Sequence, residues 1–232
     1  MKYNSIAIDG PSGAGKSTLA RRLAQELGFL YVDTGAIYRT VGLAARRRGI
    51  DPADVDAVAA MLPRLTITMG YGEDGLQHML LDGEDVTQAI RENVISACAS
   101  KAAALPAVRA FLLEMQRQAA REHDVIMDGR DIGTVVLPDA DVKIYLTAAA
   151  EARAERRYQE LLGRGQNADF DQVLREVVER DRRDMERDIS PLRKADDAIV
   201  ADTTGLDLEE SFAMLMGIIQ DRLGNGEGRH EE

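Results

Sequence analysis

The run Gly10-Pro11-Ser12-Gly13-Ala14-Gly15-Lys16-Ser17 matches G-x-x-x-x-G-K-[ST] at every fixed position. Glycines let such a loop curl until several backbone N–H groups point at one phosphate. A helix starting at its end adds a favourable dipole. Lys16 would bring a point charge to the β- and γ-phosphates of a nucleoside triphosphate. Ser17 and Thr18 both carry hydroxyls, and the register of the motif gives Mg²⁺ ligation to Ser17. A guanine-specific switch would add Asn-Lys-x-Asp after a late strand. The asparagines are Asn4, Asn93, Asn167 and Asn225, and none precedes a lysine.

Asp33-Thr34-Gly35, with Arg39 one helical turn beyond, and Asp128-Gly129-Arg130-Asp131 each follow a short apolar run. If those runs are parallel strands, both turns open on the crevice at the strand C-termini. Asp33 and Asp128 would then reach the metal through water. Taken singly, either turn also reads as an ordinary surface loop. Arg180, Asp184 and Arg187 stand at i, i+4 and i+7, so they share one helix face. They fit an anion site or a salt-bridge ladder on a solvated helix. Arg153, Arg156 and Arg157 pose the same choice.

A triphosphate on Lys16 and Mg²⁺ needs few arginines. Arg39, Arg130, Arg180, Arg187 and the 153–157 group exceed that need. The surplus points to an acceptor with its own phosphate, which guanidinium binds bidentately. Such a phosphate is largely ionised near neutral pH, its second pKa being about 6. It needs no strong general base, and His78, His123 and His230 are scattered. Catalysis would be alignment and charge stabilisation in a water-excluded site.

The elements around these residues follow from periodicity. Ser5 to Ile8, Phe29 to Val32, Val125 to Met127, Val142 to Leu146 and Ala198 to Ala201 read as buried strands. Helical spacing runs from the phosphate loop to Leu27, with Gly28 as C-cap, and from Ala36 to Arg48. Asp51-Pro52 reads as an N-cap opening a helix to Leu62. Pro63 to about Glu92 reads as a small β-rich insertion. Helices are expected at 94–105, 107–122, 149–162, 170–188 and 208–223. The alternation predicts a P-loop NTPase-type, doubly wound parallel sheet of about five strands, with helices on both faces.

With 232 residues, 45% of them hydrophobic, the chain suits one domain with insertions. A net charge of −11 argues against nucleic acid as a partner. Cys98 is the one cysteine, so no internal disulfide forms, and no Cys/His cluster has zinc spacing. No apolar run reaches the ~18 residues of a membrane span. Met1 to Ser5 leads straight into a strand without a signal-peptide core, so a cytoplasmic monomer is expected.

Ile6 to Thr18, Asp33 to Arg39, Asp128 to Pro138 and Glu179 to Leu192, in this order, resemble the bacterial cytidylate kinases of the nucleoside monophosphate kinase group. The likeness covers about residues 5 to 202. It implies a kinase domain over 1–223, with a core at 1–62 and 101–223, a monophosphate-binding insertion at about 63–100 and a lid at about 151–170. Residues 224–232 read as a disordered tail. The resemblance implies transfer from MgATP to CMP or dCMP. It places Gly10 to Thr18 on ATP, and Ser100, Arg109 and Asp131 on cytosine. It places Arg180 and Asp184 near the ribose, and Thr34, Arg39, Arg130 and Arg187 on the CMP phosphate, where Arg180 can also reach. Lys16, Arg130, Arg180 and Arg187 would act on the transferring group. One of Arg153, Arg156 and Arg157 would reach the ATP phosphates. Thr34 stands where some relatives have Ser, which keeps the hydroxyl. Rival readings are a P-loop kinase acting on AMP, UMP or shikimate, and a nucleotide-driven regulatory module.

Overall fold

The computed structural model describes residues 3–72 and 75–224. β1 (Ser5–Asp9) runs into the glycine-rich loop, and α1 (Lys16–Leu27) leaves it, closed by Gly28 at φ 70°. β2 (Leu30–Asp33) leads directly into α2 (Thr34–Arg47), where the Asp33 carboxylate accepts from the Ala36 amide at 2.8 Å as N-cap. α3 (Val55–Met61) starts later than the Asp51-Pro52 signal implies. Asp51 spends its carboxylate on the Ala53 amide in a local turn, and Asp54 is the true cap, accepting from the Ala57 amide at 3.0 Å.

β3 (Ile67–Tyr71), β4 (Gln77–Leu81) and β5 (Glu84–Asp85) make a small antiparallel sheet. The strand pattern thus stops short of Glu92, and a 3-10 turn at Ala89–Arg91 precedes the next helix. α4 (Asn93–Ala102) ends before Leu105, because the residue ahead of a proline avoids helical geometry; Pro106 then opens α5 (Pro106–Glu122). β6 (Val125–Gly129), a π-helical turn at Ile132–Val136 and β7 (Val142–Thr147) follow. α6 (Ala150–Gly163), α7 (Phe170–Glu186), β8 (Ile199–Asp202) and α8 (Leu208–Gly224) complete the described chain. Gly224 belongs to α8, and the rest of the expected tail lies outside the described residues.

The main sheet has five parallel strands in the order β2-β6-β1-β7-β8. Asp9 stands opposite Gly129, and Asp33 opposite Asp128. The C-terminal ends of β1, β2 and β6 are therefore level, and the loops leaving them emerge at one edge. Strand alternation splits the core. Ala7, Val32, Val125 and Met127 pack with Ile37, Val41, Ile95 and Leu112 of α2, α4 and α5. Ile6, Ile8, Ile126 and Ile144 pack with Leu19, Leu23, Leu215 and Ile219 of α1 and α8. Each such buried Val, Leu, Ile or Met side chain contributes roughly 1.5–3 kcal/mol.

Three attachments place the remaining elements. α4 crosses α2 at Gly42, where a Cβ would lie 2.8 Å from the Ala99 amide nitrogen. The small sheet docks on edge strand β2: the Tyr71 hydroxyl donates to the Tyr31 carbonyl at 3.1 Å, and the Gln77 side chain accepts from the Asp33 amide at 2.7 Å. α6 and α7 form a hairpin with a cluster of its own, Ala154, Val173 and Val177. No single helix among the described residues is long and apolar enough to cross a membrane.

Candidate active site

Because Gly15 precedes α1 in the left-handed region at φ 87°, the helix has no side-chain cap. Its first-turn amides are left for a ligand to satisfy. Gly10 sits at φ 152°, and a Cβ there would lie 1.9 Å from the Leu146 carbonyl oxygen, so only glycine fits. Ser12, Gly13, Ala14, Gly15, Lys16, Ser17 and Thr18 line a cleft of about 1370 Å³, whereas Gly10 and Pro11 do not.

Lys16 is 5% exposed, and its Nζ donates to the Pro11 carbonyl at 2.7 Å. Burial, then the Arg130 guanidinium, push its pKa well below the usual lysine range. A bound phosphate favours the charged form again. Ser17 Oγ donates to Asp128 Oδ2 at 2.9 Å, and the Tyr31 hydroxyl donates to Asp128 Oδ1 at 2.8 Å. Burial, then the Asp33 carboxylate, raise the Asp128 pKa. Ser17, Asp33 and Asp128 are hard oxygen donors of the kind Mg²⁺ takes. Among the described residues no group of three or more His, Cys, Asp and Glu could hold a metal.

On the other side, Arg109 Nη2 of α5 pairs with Asp131 Oδ2, and both residues are buried. Arg187 Nη2 lies 3.7 Å from Asp131 Oδ1. One turn orients both arginines: Ser190 Oγ accepts from Arg109 Nε at 3.1 Å, and the Ser190 carbonyl accepts from Arg187 Nε at 2.7 Å. Ser190 is held at φ 47°, an uncommon conformation for a residue with a Cβ. Arg187 lies past the end of α7, so it shares the cleft with Arg180 and Asp184 through this turn rather than through helix periodicity. Ser100 of α4 also lines the cleft.

Arg130 Nε pairs with Asp184 Oδ2 at 2.7 Å, and Arg39 Nη2 with Asp33 Oδ2 at 2.8 Å. Burial pushes the Asp184 pKa up, but Arg130, then Arg180 and Arg187, hold it below the usual range. Burial, then Arg130, lower Arg180 to about 10. The buried Nε atoms of Arg39 and Arg180 and Nη2 of Arg187 have no hydrogen-bond partner. A buried donor left open costs about 1–3 kcal/mol, so an anion bound among these guanidiniums would satisfy them. Thr34 lines the same cleft, and its Oγ1 donates to the Asp128 carbonyl at 2.7 Å.

The arginines of α6 divide. Arg157 and Arg156 line the cleft; Arg157 Nη2 donates to Asn93 Oδ1 at 2.6 Å, and Arg156 Nη2 to the Thr203 carbonyl at 2.8 Å. Arg153, expected on the triphosphate, does not line the cleft; each of its three nitrogens faces a protein acceptor.

A five-stranded parallel sheet, a capless helix after a glycine loop and a cleft lined by many arginines at one sheet edge describe a phosphotransfer site. The family model described as cytidylate kinase matches residues 6–221. The chain belongs to the cytidylate kinase family. It is 50% identical over 214 residues to the cytidylate kinase of Carboxydothermus hydrogenoformans, covering 92% of this chain and 96% of that one. It is 48% identical over 217 residues to that of Geobacter sulfurreducens, covering 94% and 93%. Among solved structures, an uncharacterized protein from Eubacterium ventriosum has a TM-score of 0.52 at 14% identity, covering 94% of this chain and 99% of that one; it shares the fold alone. As a member of the cytidylate kinase family, the chain is a nucleoside monophosphate kinase.

Four residues of the site's framework escape a motif-based reading. They are Asp9 behind the phosphate loop, Tyr31 on Asp128, Gln77 on the Asp33 backbone and Asp181 on Arg153. Asp9 alone carried a signal, as a carboxylate ending an apolar strand.

Proposed function

We propose that this protein transfers the γ-phosphoryl group of MgATP to CMP and dCMP, giving ADP with CDP or dCDP. The observation that carries the reading is the buried Arg109–Asp131 pair in a cleft that also gathers Arg39, Arg130, Arg180 and Arg187, in a chain of the cytidylate kinase family. Cytosine presents an N4 amino donor where uracil presents an O4 acceptor. The Asp131 carboxylate accepts from N4 and repels O4, while Arg109 and the Ser100 hydroxyl donate towards O2 and N3.

The phosphate loop, Gly10 to Thr18, holds the triphosphate, and Lys16 follows its β- and γ-phosphates. Arg157, which lines the cleft, is our choice for the α6 arginine that reaches the ATP phosphates. Thr34, Arg39, Arg130 and Arg187 hold the CMP phosphate, with Arg180 between the two substrates and Asp184 near the ribose. These guanidiniums line up attacking and leaving oxygens and stabilise charge on the transferring group. Ser17 would hold the Mg²⁺ that comes with ATP, with Asp33 and Asp128 reaching it through water, and the ion would supply neutralisation of phosphate charge. Residues 63–100 serve as the monophosphate-binding arm and 151–170 as the lid, on a core at 1–62 and 101–223. The protein works as a cytoplasmic monomer without nucleic acid or membrane.

A coupled assay for ADP release with MgATP and separate acceptors tests this: CMP, dCMP, UMP, AMP, GMP and shikimate. CMP and dCMP should dominate. If Asp184 and Arg180 bind the 3′-hydroxyl, kcat/KM for dCMP stays within about tenfold of CMP, because no 2′-hydroxyl bond to a charged group is lost. Dominant turnover of another acceptor, or of none, overturns the reading.

A further inference from the structure

Arg153 is 5% exposed and sits at the base of α6. Its Nε donates to the Ala148 carbonyl at 2.8 Å, and its Nη1 to the Ser12 carbonyl at 2.8 Å. Its Nη2 pairs with Asp181 Oδ2 at 2.6 Å. α6 lies directly on the phosphate loop, since a Cβ on Gly13 would come 3.2 Å from Arg153 Cβ. Asp181 is buried on α7, and its Oδ1 has no hydrogen-bond partner. A buried carboxylate is costly unless paired, so Asp181 is held to this guanidinium.

Asp181 stands between Arg180 and Asp184, both of which line the cleft. One helix therefore carries cleft-lining groups and, at the next position, the carboxylate that grips the brace of the phosphate loop. We propose that Arg153 and Asp181 form a positioning link from α7 to the phosphate loop, by which a filled acceptor site tightens the loop on the triphosphate. The inference rests on the acceptor reading above. An acceptor phosphate drawn onto Arg180 shifts α7. Asp181 moves with its helix, and the Arg153 fork transmits the shift to the Ser12 carbonyl. Neither Arg153 nor Asp181 lines the cleft. The link needs the planar fork: a lysine keeps the charge but cannot hold a carbonyl and a carboxylate in fixed directions.

Calorimetric titration with a non-hydrolysable MgATP analogue, alone and with saturating CMP, tests the link in the wild type, Arg153→Lys, Asp181→Asn and the double variant. CMP should tighten analogue binding about fivefold or more in the wild type, and by less than about twofold in each variant. Affinity for CMP alone should stay within about twofold of wild type. The double variant should lose no more than the worse single one, since both act through one link. Equal tightening in wild type and Asp181→Asn overturns the link, as does CMP that binds the wild type without tightening the analogue. If Arg153→Lys fails to fold, Asp181→Asn decides alone. A wild type that binds no CMP contradicts the acceptor reading instead, and the link is then titrated with the monophosphate that the acceptor panel selects.

Discussion

Asp9 ends β1, and its carboxylate oxygens accept from the Ile132 amide at 2.8 Å and the Gly133 amide at 2.7 Å. The strand that feeds the phosphate loop thus also fixes the turn that follows Asp131. Burial outweighs these two donors and raises the Asp9 pKa to about 6 from 3.8, with Asp131 adding to the rise and Lys16 opposing it. Between those values the folded chain keeps a proton that the unfolded chain has lost, so this group's stabilisation falls as pH rises. The loss is roughly 3 kcal/mol across the window. Urea unfolding of wild type and Asp9→Asn from pH 4 to 7 checks it. The stability advantage of the wild type should shrink by about that amount, and a pH-independent difference counts against the assignment. The phosphate loop was legible in the sequence because its chemistry needs contiguous residues. The Asp9 contacts were not, because they span sequence separations of 123 and 124.

At the scale of elements, every strand of the main sheet was legible from short apolar runs; β1 and β6, buried nearly throughout, need no alternation to reveal them. Boundaries set by polar competition were harder. Asp51 and Asp54 both cap well, and only the fold decides which faces a helix. Arg187 matched the periodicity of α7 yet lies outside it, brought to the cleft by the Ser190 turn. Gly42 gave no signal as a close approach, because α4 meets it from distant sequence. Gly42→Ala puts a Cβ 2.8 Å from the Ala99 backbone, so α4 must move and carry Ser100 with it. Such overpacking costs about 1–3 kcal/mol, which lowers Tm by roughly 2–4 °C per kcal/mol in a domain of this size. KM for CMP should rise with it. A drop in Tm with KM unchanged would place Ser100 outside base recognition.

For the molecule as a whole, a chain of net charge −11 gathers arginines into one cleft, so the local field there opposes the global one. The α6–α7 hairpin has its own apolar cluster, with Tyr158 and Phe170 edge-to-face at 6.0 Å. It should move as one body. In hydrogen exchange its amides should gain protection together when an ATP analogue and CMP are both bound, while β1 and β6 stay protected throughout. Independent changes in α6 and α7 would argue against a rigid hairpin. The central claim, that Asp131 reads the cytosine edge of a monophosphate held among arginines, is tested most directly by one ratio. That ratio is kcat/KM for CMP over kcat/KM for UMP, measured in wild type and Asp131→Asn. Asparagine keeps the volume but offers O4 a donor. CMP should lose about 1.5–3 kcal/mol, roughly ten- to a hundred-and-fifty-fold, and the ratio should fall steeply towards one. A ratio unchanged in Asp131→Asn would contradict the account.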